Sequence, residues 1–294
     1  MRISTQSQYD GYASRIRDTQ ARVIDAGTKV QDGKRMHKAS DDPTALGAVL
    51  DIRAYKSSVE TYQKNLARGT GLLKGTESAL AEIGTGLDRG TTLAIAGANS
   101  TVDAAGRKAM AIEIDSIRKR LVELGNTRDA DGTYLFAGQK SDKTPFAVDA
   151  NGVLNFNGDA NPILVESDAG ETIAANVDGA ATIQTAYRNL TKLRDALEGN
   201  DVAGLGDLRL GEMQGSKKEV DALRGVVGTK ISTMASRTEN HDRRIDELTT
   251  RASDLEEVDF ADALVQYQAA QTAYQAALQV TSTASRTSLM DYLR

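Results

Sequence analysis

The sequence predicts a mainly α-helical protein in which both chain termini form long antiparallel helices or a coiled coil, with a small inserted β-rich module between them. Three observations lead to this fold class. Apolar and small residues recur every three or four positions near both ends of the chain. The last 66 residues, 229–294, contain neither Gly nor Pro. Residues 132–182 differ sharply in composition from the rest.

The composition excludes several classes of function. The 294 residues include no Cys, which rules out structural disulfides, thiolate metal sites and a catalytic Cys. A net charge of −5 argues against a nucleic-acid-binding protein, because such proteins usually carry a clustered basic surface. Aromatic residues make up only 4% of the chain, so its core must be built from Ala, Leu, Val and Ile. That composition suits thin helical packing.

The first element is a helix along residues 9–30. Its seam, the row of side chains expected to face a partner helix, has members spaced alternately by three and four: Tyr9, Tyr12, Ile16, Thr19, Val23, Ala26 and Val30. Small residues and tyrosines interrupt the branched aliphatic residues, so this helix would be marginal in water by itself. We therefore expect it to need a partner.

A second, longer helix begins at Asp42 and Pro43. A carboxylate at the N-cap followed by proline at the first helical position is a strong helix start. The apolar seam that follows extends for about five heptads to Leu87. Five glycines weaken it and predict either a close helix approach or a break: Gly69, Gly71, Gly75, Gly84 and Gly86. A further helix is expected over residues 102–126.

Residues 132–182, which we call the insert, have their own composition. They hold two bases and seven acids, a net charge of −5, so the 34 bases and 34 acids elsewhere cancel. The insert also contains three of the four Phe and two of the three Pro. The Asn-Gly pair at 151–152, between two apolar stretches, predicts a β-hairpin. Residues 162–165 and 171–173 are further candidate strands, and helical periodicity resumes near residue 183.

The C-terminal region carries two seams separated by a register slip near residues 256–260. The first extends from Ile231 to Leu255. The second consists of Leu264, Tyr267, Gln271, Tyr274, Leu278, Thr281 and Ser285. It is as poor in branched aliphatic residues as the N-terminal seam. The simplest arrangement pairs the two chain ends antiparallel with each other and with copies of themselves.

These patterns divide the chain into three regions. Residues 1–42 and 258–294 are expected to form a terminal coiled-coil assembly region. Residues 43–131 and 183–257 are expected to form an α-helical bundle domain, and the insert an acidic, β-rich outer domain.

No motif in the sequence indicates a specific chemistry. The glycine-rich stretches at 69–75 and 84–90 do not follow a strand and lack phosphate-loop spacing. Asp149 opens a stretch like a calcium loop, but the third ligand and the closing Glu are missing, which favours a turn. His37 and His241, the only histidines, have no nucleophile and carboxylate arranged near them in the sequence. We predict no catalytic, cofactor-binding or metal-binding residue, no cofactor and no enzymatic activity.

The sequence also lacks targeting signals. No apolar stretch approaches the roughly 20 residues needed to span a bilayer. The N-terminus has no apolar segment of about 7–15 residues of the kind found in cleavable secretory signals. From these features alone the expected location is cytoplasmic, unless export uses an uncleaved N-terminus.

Several stretches of the chain together resemble the flagellin superfamily. They are the opening MRIST, GKRMHKASDDP at 33–43, DGTYLFAG at 131–138, AYQAAL at 273–278 and SLMDYL at 288–293. The opening MRIST and the stretch at 33–43 resemble hook-associated members more than flagellin itself, and the stretch at 131–138 is the most specific. The resemblance covers essentially the whole chain outside the insert. In that family the two termini form paired helices and a variable module lies between them.

The resemblance implies a structural subunit of the bacterial flagellum that joins the hook, through the first hook-associated protein, to the flagellin filament. It implies an extracellular location, reached by type III export without a cleaved signal peptide and with the help of a flagellar export chaperone. The other implied partners are flagellin and copies of the chain itself in a helical or ring array, with neither nucleic acid nor membrane. Two alternatives stay open: a flagellin filament subunit and a cytoplasmic coiled-coil scaffold.

The assembly interface is expected along the two terminal seams. Its residues are Tyr9, Tyr12, Ile16, Val23 and Val30 with Leu264, Tyr267, Tyr274, Leu278 and Leu289. Asp42 and Pro43 are expected to form the helix cap that follows the first seam. The terminal helices, marginal by themselves, should become ordered when neighbouring copies complete the seam.

Overall fold

A computed structural model describes residues 2–38, 40–140 and 142–292. Along these residues the helices and strands are α1 (Arg2–Asp32), α2 (Pro43–Ala98), α3 (Ala104–Gly125), β1 (Phe146–Val148), β2 (Leu154–Phe156), β3 (Leu164–Asp168), β4 (Glu171–Ala174), α4 (Ala180–Glu198), α5 (Val202–Leu205), α6 (Asp207–Glu256) and α7 (Phe260–Tyr292). The predicted fold class is therefore confirmed: the protein is mainly α-helical, with long terminal helices and a small β-rich insert.

The chain divides into two compact units. Unit 1 comprises Met1–Ser57 and Ile245–Arg294, and unit 2 comprises Ser58–Arg244. Unit 1 therefore extends further from each chain end than the expected terminal region, residues 1–42 and 258–294. The division into a terminal region, a bundle and an outer domain stays a prediction.

Helix α2 is unbroken through all 56 of its residues, including the five glycines that could have interrupted it. A Cβ at Gly69 would lie 3.0 Å from Cε of Met234, and a Cβ at Gly75 would lie 3.2 Å from Cδ1 of Leu135. At these positions the glycines let neighbouring side chains of unit 2 approach the α2 backbone closely.

The C-terminal helical region breaks at the predicted register slip. Helix α6 ends at Glu256 and α7 begins at Phe260. The Oδ1 atom of Asp259 accepts a hydrogen bond from the backbone N–H of Ala261 at 2.8 Å. This bond satisfies one of the N–H groups that a helix start leaves without an intrahelical partner. The seam therefore changes register because one helix ends and another begins.

The insert folds as two antiparallel hairpins, β1–β2 and β3–β4. In the first hairpin, Phe146 lies opposite Phe156 and their ring centroids are 5.3 Å apart. The expected turn joins the strands. There, Oδ1 of Asp149 accepts hydrogen bonds from the backbone N–H groups of Asn151 at 2.8 Å and Val153 at 2.9 Å. These bonds are those of a turn closed by its own aspartate.

Unit 2 is built around one continuous hydrophobic core. Helix α2 contributes a row of leucines to it: Leu66, Leu73, Leu80 and Leu87. Helices α3, α4 and α6 add further apolar side chains, and the insert adds Leu135, Phe136, Phe146 and Leu154. The insert therefore shares its core with the helices, although its charge sets it apart.

A buried histidine links the second hairpin to the helices of unit 2. His241 of α6 is only 4% exposed, and its Nε2 lies 2.8 Å from the carbonyl oxygen of Ser167. Because a carbonyl only accepts, Nε2 is the nitrogen that carries the proton in this bond. The ring of Tyr62 on α2 lies beside the imidazole, with centroids 6.1 Å apart. The contacts of His241 are thus those of a packing residue.

Candidate assembly surfaces

Helices α1 and α7 pack against each other within unit 1. The described members of the predicted interface on α1 are all half-buried: Tyr12, Ile16, Val23 and Val30. The side chains of Tyr9 and Leu289, which the sequence also assigns to the interface, lie outside those that the structure describes. The α1 seam therefore faces a neighbouring helix over its described part.

The inner face of α7 differs from the predicted seam. Tyr267 and Tyr274 are half-buried, whereas Leu264 and Leu278 are 38% and 42% exposed. Ala263, one position before Leu264, is buried instead. A closely packed helix pair accommodates small side chains at its contact, which leaves the larger leucines outside.

Unit 1 exposes more large apolar side chains than it buries. The exposed ones are Ile24, Leu50, Tyr55, Phe260, Leu264, Val265, Leu278 and Val280. Among the side chains described in this unit, the buried apolar ones larger than Ala are Val49 and Leu248. Burial of apolar surface is the main stabilising contribution to folding, so unit 1 has little core of its own. Large exposed apolar surfaces are typical of protein interaction sites.

The connector between α1 and α2, residues 33–42, is bonded to the break between α6 and α7. The backbone N–H of Arg35 donates to the carbonyl of Glu256 at 2.7 Å, and that of Val258 donates to the carbonyl of Gly33 at 2.9 Å. Gly33 has a φ of +68°, a conformation that favours glycine. The Arg35 guanidinium also donates to a carbonyl in the last turn of α6 at 3.1 Å. These bonds fix where α1 ends and α7 begins.

Two carboxylates order the connector. The Oδ2 atom of Asp41 accepts hydrogen bonds from the backbone N–H groups of His37 and Lys38, each at 2.9 Å. These bonds lower the pKa of Asp41 because they stabilise its charged form, and the bond from His37 has the largest effect. The Oδ2 atom of Asp32 lies 2.6 Å from Nε2 of His37, and this hydrogen bond lowers the pKa of Asp32. Both carboxylates are therefore ionised over the physiological range.

Asp42 and Pro43 lie at the start of α2. Pro43 is the first helical residue, and Oδ1 of Asp42 accepts a hydrogen bond from the backbone N–H of Ala45 at 3.0 Å. The second oxygen of Asp42 is 3.4 Å from Nη2 of Arg35. Asp42 thus contacts both the helix that it precedes and the connector.

A buried arginine of α3, not identified from the sequence, closes the end of α2. Arg107 is 4% exposed. Its Nε donates to the carbonyl of Gly97 at 2.8 Å and its Nη2 to that of Asn99 at 2.9 Å. Its Nη1 donates to Oδ1 of Asn200 at 2.7 Å. A cation here satisfies carbonyls that the end of a helix leaves without partners and complements the helix dipole.

A second buried arginine of α3, Arg118, lies over the ring of Tyr187, with Cζ 4.8 Å from the ring centroid. Its Nη2 donates to the Tyr187 hydroxyl at 2.7 Å, and Nη1 is 3.4 Å from Oδ1 of Asp115. Arg107, Ala111, Ile114 and Arg118 form one buried row, with successive spacings of four, three and four residues. That spacing is the signal in the sequence by which both could have been found.

The stretch at 131–138 is the most specific part of the sequence resemblance. Its side chains also make packing contacts. Its apolar side chains are buried. The Tyr134 hydroxyl lies 3.0 Å from Oγ1 of Thr144 and accepts a hydrogen bond from Nη2 of Arg128 at 2.6 Å. The hydrogen bonds with Thr144 and then Arg128 lower the pKa of Tyr134. This hydroxyl fixes the loop in place.

Within residues 2–38, 40–140 and 142–292, no three His, Asp or Glu side chains gather in a way that could hold a metal ion. In the same part of the chain, none of the helices has the length and apolar character required to cross a bilayer. The features that the described residues do present are helical contact surfaces.

Comparison with known proteins agrees with this picture. The family model for the bacterial flagellin N-terminal helical region matches residues 3–141, and the model for the flagellin C-terminal helical region matches residues 210–293. Two curated proteins named flagellar hook-associated protein 3 align over 94% of this chain and 94% of their own length. The one from Salmonella typhimurium is 24% identical over 302 residues and the one from Escherichia coli 26% over 304.

The fold also has a solved counterpart. The crystal structure of Bacillus cereus FlgL is similar with a TM-score of 0.61 at 23% identity, covering 69% of this chain and 99% of that one. The two flagellin models together match most of the chain, at both of its ends. The chain therefore belongs to the bacterial flagellin family, whose members are structural proteins of the flagellum and are not known as enzymes.

Proposed function

We propose that this chain joins the flagellar hook, through the first hook-associated protein, to the flagellin filament. The observation that carries the proposal is the alignment over 94% of each chain with two proteins named flagellar hook-associated protein 3. The structure supports a role in assembly, because unit 1 exposes more large apolar side chains than it fully buries, among those that the structure describes.

In this proposal the terminal helices polymerise the chain. Each large apolar side chain that a neighbour covers contributes about 1.5–3 kcal/mol when it is fully buried. Leu264 and Leu278 of unit 1, 38% and 42% exposed, would contribute a part of that amount each. Helices with so little core are marginal until partners cover them, so α1 and α7 become ordered on assembly. Contacts between copies are then heterologous, which produces an open array or a ring.

The proposal includes the route by which the subunit reaches its place. A chain whose ends order only on assembly can pass unfolded through the flagellar export channel, with a chaperone covering the C-terminal segment until export. The final location is extracellular, in contact with the first hook-associated protein, flagellin and copies of itself. The regions at 1–42 and 258–294 form the assembly part, and the insert forms the outer part.

A filament subunit is the second candidate, favoured by the match of both flagellin family models. Isolated hook–filament structures labelled with an antibody against this chain separate the two functions. We expect label confined to a narrow band at the distal end of the hook. Label along the whole filament would reject the junction and favour a filament subunit, and absence of label would reject both.

Ordering on assembly has its own test. In limited proteolysis of the free full-length chain, we expect cleavage in α1 and α7 well before cleavage in unit 2. In sheared flagella the same sites should be protected. Termini that resist protease in the free chain as well as unit 2 does would show that the helices are already stable, and this part of the proposal would be wrong.

A further inference from the structure

Helix α3 of unit 2 presents an exposed apolar side chain between two grooves. Ile112 is 71% exposed, the highest value among the large apolar side chains whose burial is described. Ser116, one turn further, borders both the groove between α2 and α3 and the groove between α3 and α4. Lys108 and Lys119, also exposed, lie four residues before and seven after Ile112, on the same helix face. We call these four residues the α3 ridge.

The tip of the β1–β2 hairpin has the complementary character. Val148 and Val153, on either side of the turn, are 45% and 55% exposed. Between them lies Asp149, whose carboxylate is held by the turn. The insert as a whole has a net charge of −5, whereas the ridge carries the exposed Lys108 and Lys119, the second of which pairs with Asp115 at 2.9 Å. An acidic, apolar tip therefore fits an apolar side chain flanked by lysines.

Ile112 and the hairpin tip of the same copy lie far apart along the α3–α4 pair. Phe146, at the start of β1, exchanges hydrogen bonds with the Asn126 side chain just after α3, both at 2.9 Å. Leu154 of β2 accepts a hydrogen bond from Gln184, near the start of α4, at 3.0 Å. Ile112 lies 13 residues before the end of α3, a distance of roughly 20 Å along the helix. The tip that fits the ridge must therefore come from another molecule.

We infer that the hairpin tip of one copy, with Val148, Asp149 and Val153, docks on the α3 ridge of a neighbouring copy. This inference rests on the proposed function, since it requires copies to be assembled side by side. Because two different patches meet, each copy offers one free tip and one free ridge, so that contacts continue from copy to copy. The apolar side chains cover each other and Lys108 and Lys119 face the acidic tip.

Disulfide cross-linking tests the contact, since the natural chain has no Cys. Full-length Ile112→Cys and Val153→Cys chains are co-expressed, and sheared flagella are oxidised and separated without reductant. We expect a linked dimer from the mixture and none from either variant alone, because a disulfide requires Cβ atoms within about 3.5–4.5 Å. The matched control replaces Ile112→Cys by Ile95→Cys, which alters another exposed isoleucine of unit 2, on α2. The mixture should give several-fold more dimer than this control.

Charge provides a second readout. Adding Lys108→Glu to the Ile112→Cys chain should lower the dimer yield several-fold, whereas Lys218→Glu, at an exposed position of α6, should leave it unchanged. If both cysteine variants enter the flagellum and the dimer does not exceed the control, the contact is wrong while the proposed function stands. A dimer from the Ile112→Cys chain alone would show that the ridges of two copies contact each other. This result would also overturn the inferred contact between tip and ridge. If the chain without cysteines is absent from flagella, the proposed function fails first.

Discussion

Gly27 on α1 lies against the ring of Tyr267 on α7: a Cβ at position 27 would be 3.2 Å from Cε2 of the ring. At Gly11, on the same helix, a Cβ would have no described atom within 4 Å apart from its own local backbone. The two glycines therefore share a helix and differ in whether the partner helix approaches them. This difference allows the close approach to be separated from the effect of glycine on helix stability.

We expect Gly27→Leu to weaken the pairing of α1 with α7, because its side chain must displace the Tyr267 ring. Gly11→Leu should instead stabilise α1 by about 1 kcal/mol, because Gly is less favourable in a helix than Leu by that amount. The measurement is the amount of each variant in sheared flagella relative to the unmodified chain. Equal incorporation of the two variants would show that the contact does not limit pairing.

Asp42→Ala should weaken the first turn of α2. Loss of an N-cap side chain costs about 1 kcal/mol, roughly a fivefold change in an equilibrium constant. Hydrogen exchange at the Ala45 amide, which donates to Asp42, should accelerate by a similar factor. Asp42→Asn retains a capping oxygen and should change exchange much less. Asp51→Ala, at an exposed position of the same helix, is the control, and an equal effect there would contradict capping.

The connector should loosen in acid. Hydrogen bonds from the His37 and Lys38 backbones lower the pKa of Asp41 in the folded chain. Its carboxylate therefore stabilises the folded connector above the ordinary carboxyl pKa of about 3.9, and this stabilisation is lost as pH falls through the lowered pKa. An NMR titration of the His37 and Lys38 amide protons should show a midpoint below about 3.9. Asp41→Asn should abolish that transition, and a midpoint above the ordinary value would contradict the prediction.

The hydrogen bond between Arg118 and Tyr187 is expected to matter because both groups are buried. Among the described residues, Nε of Arg118 has no hydrogen-bond partner, and Nη1 has only its ion-pair contact with Asp115 at 3.4 Å. Tyr187→Phe would remove the acceptor for Nη2 as well, and should lower the free energy of unfolding by about 1–3 kcal/mol. Arg118→Met should cost less, because it removes the buried charge together with the cost of desolvating it.

Urea denaturation of the full-length chain, followed by circular dichroism, measures both changes. Arg188→Met, at an exposed position of α4, is the matched control and should leave the free energy of unfolding nearly unchanged. If Arg118→Met costs as much as Tyr187→Phe or more, the arginine contributes more through packing than it loses through desolvation.

Local features of the fold could be predicted from the sequence because their causes lie within a few residues. Asp42 and Pro43 start a helix by their own geometry, and Asn151 and Gly152 form a turn between two short strands. The break between α6 and α7 was visible as a change of seam register. The fold class and the pairing of the termini follow from such signals.

The partners of individual side chains depended on the tertiary structure. Arg107, Arg118 and His241 are charged or polar residues whose hydrogen-bond partners the sequence alone does not indicate, yet all three are buried and hydrogen-bonded. Their partners lie far along the chain or in another element. Residue spacing predicts which face of a helix is buried. It does not predict which carbonyl or hydroxyl group of another element will contact that face.

The pairing of α1 with α7 also depends partly on the sequence and partly on the tertiary structure. By itself, the sequence determined that the chain ends are long helices with too little apolar surface to form a core. Only the tertiary structure decided that Ala263 faces inward while Leu264 is 38% exposed. One residue turns a helix by about 100°, so the side that meets α1 depends on how closely the two backbones approach. The backbones come close where Gly27 faces the Tyr267 ring, and Leu264 and Leu278 stay partly exposed beside this contact.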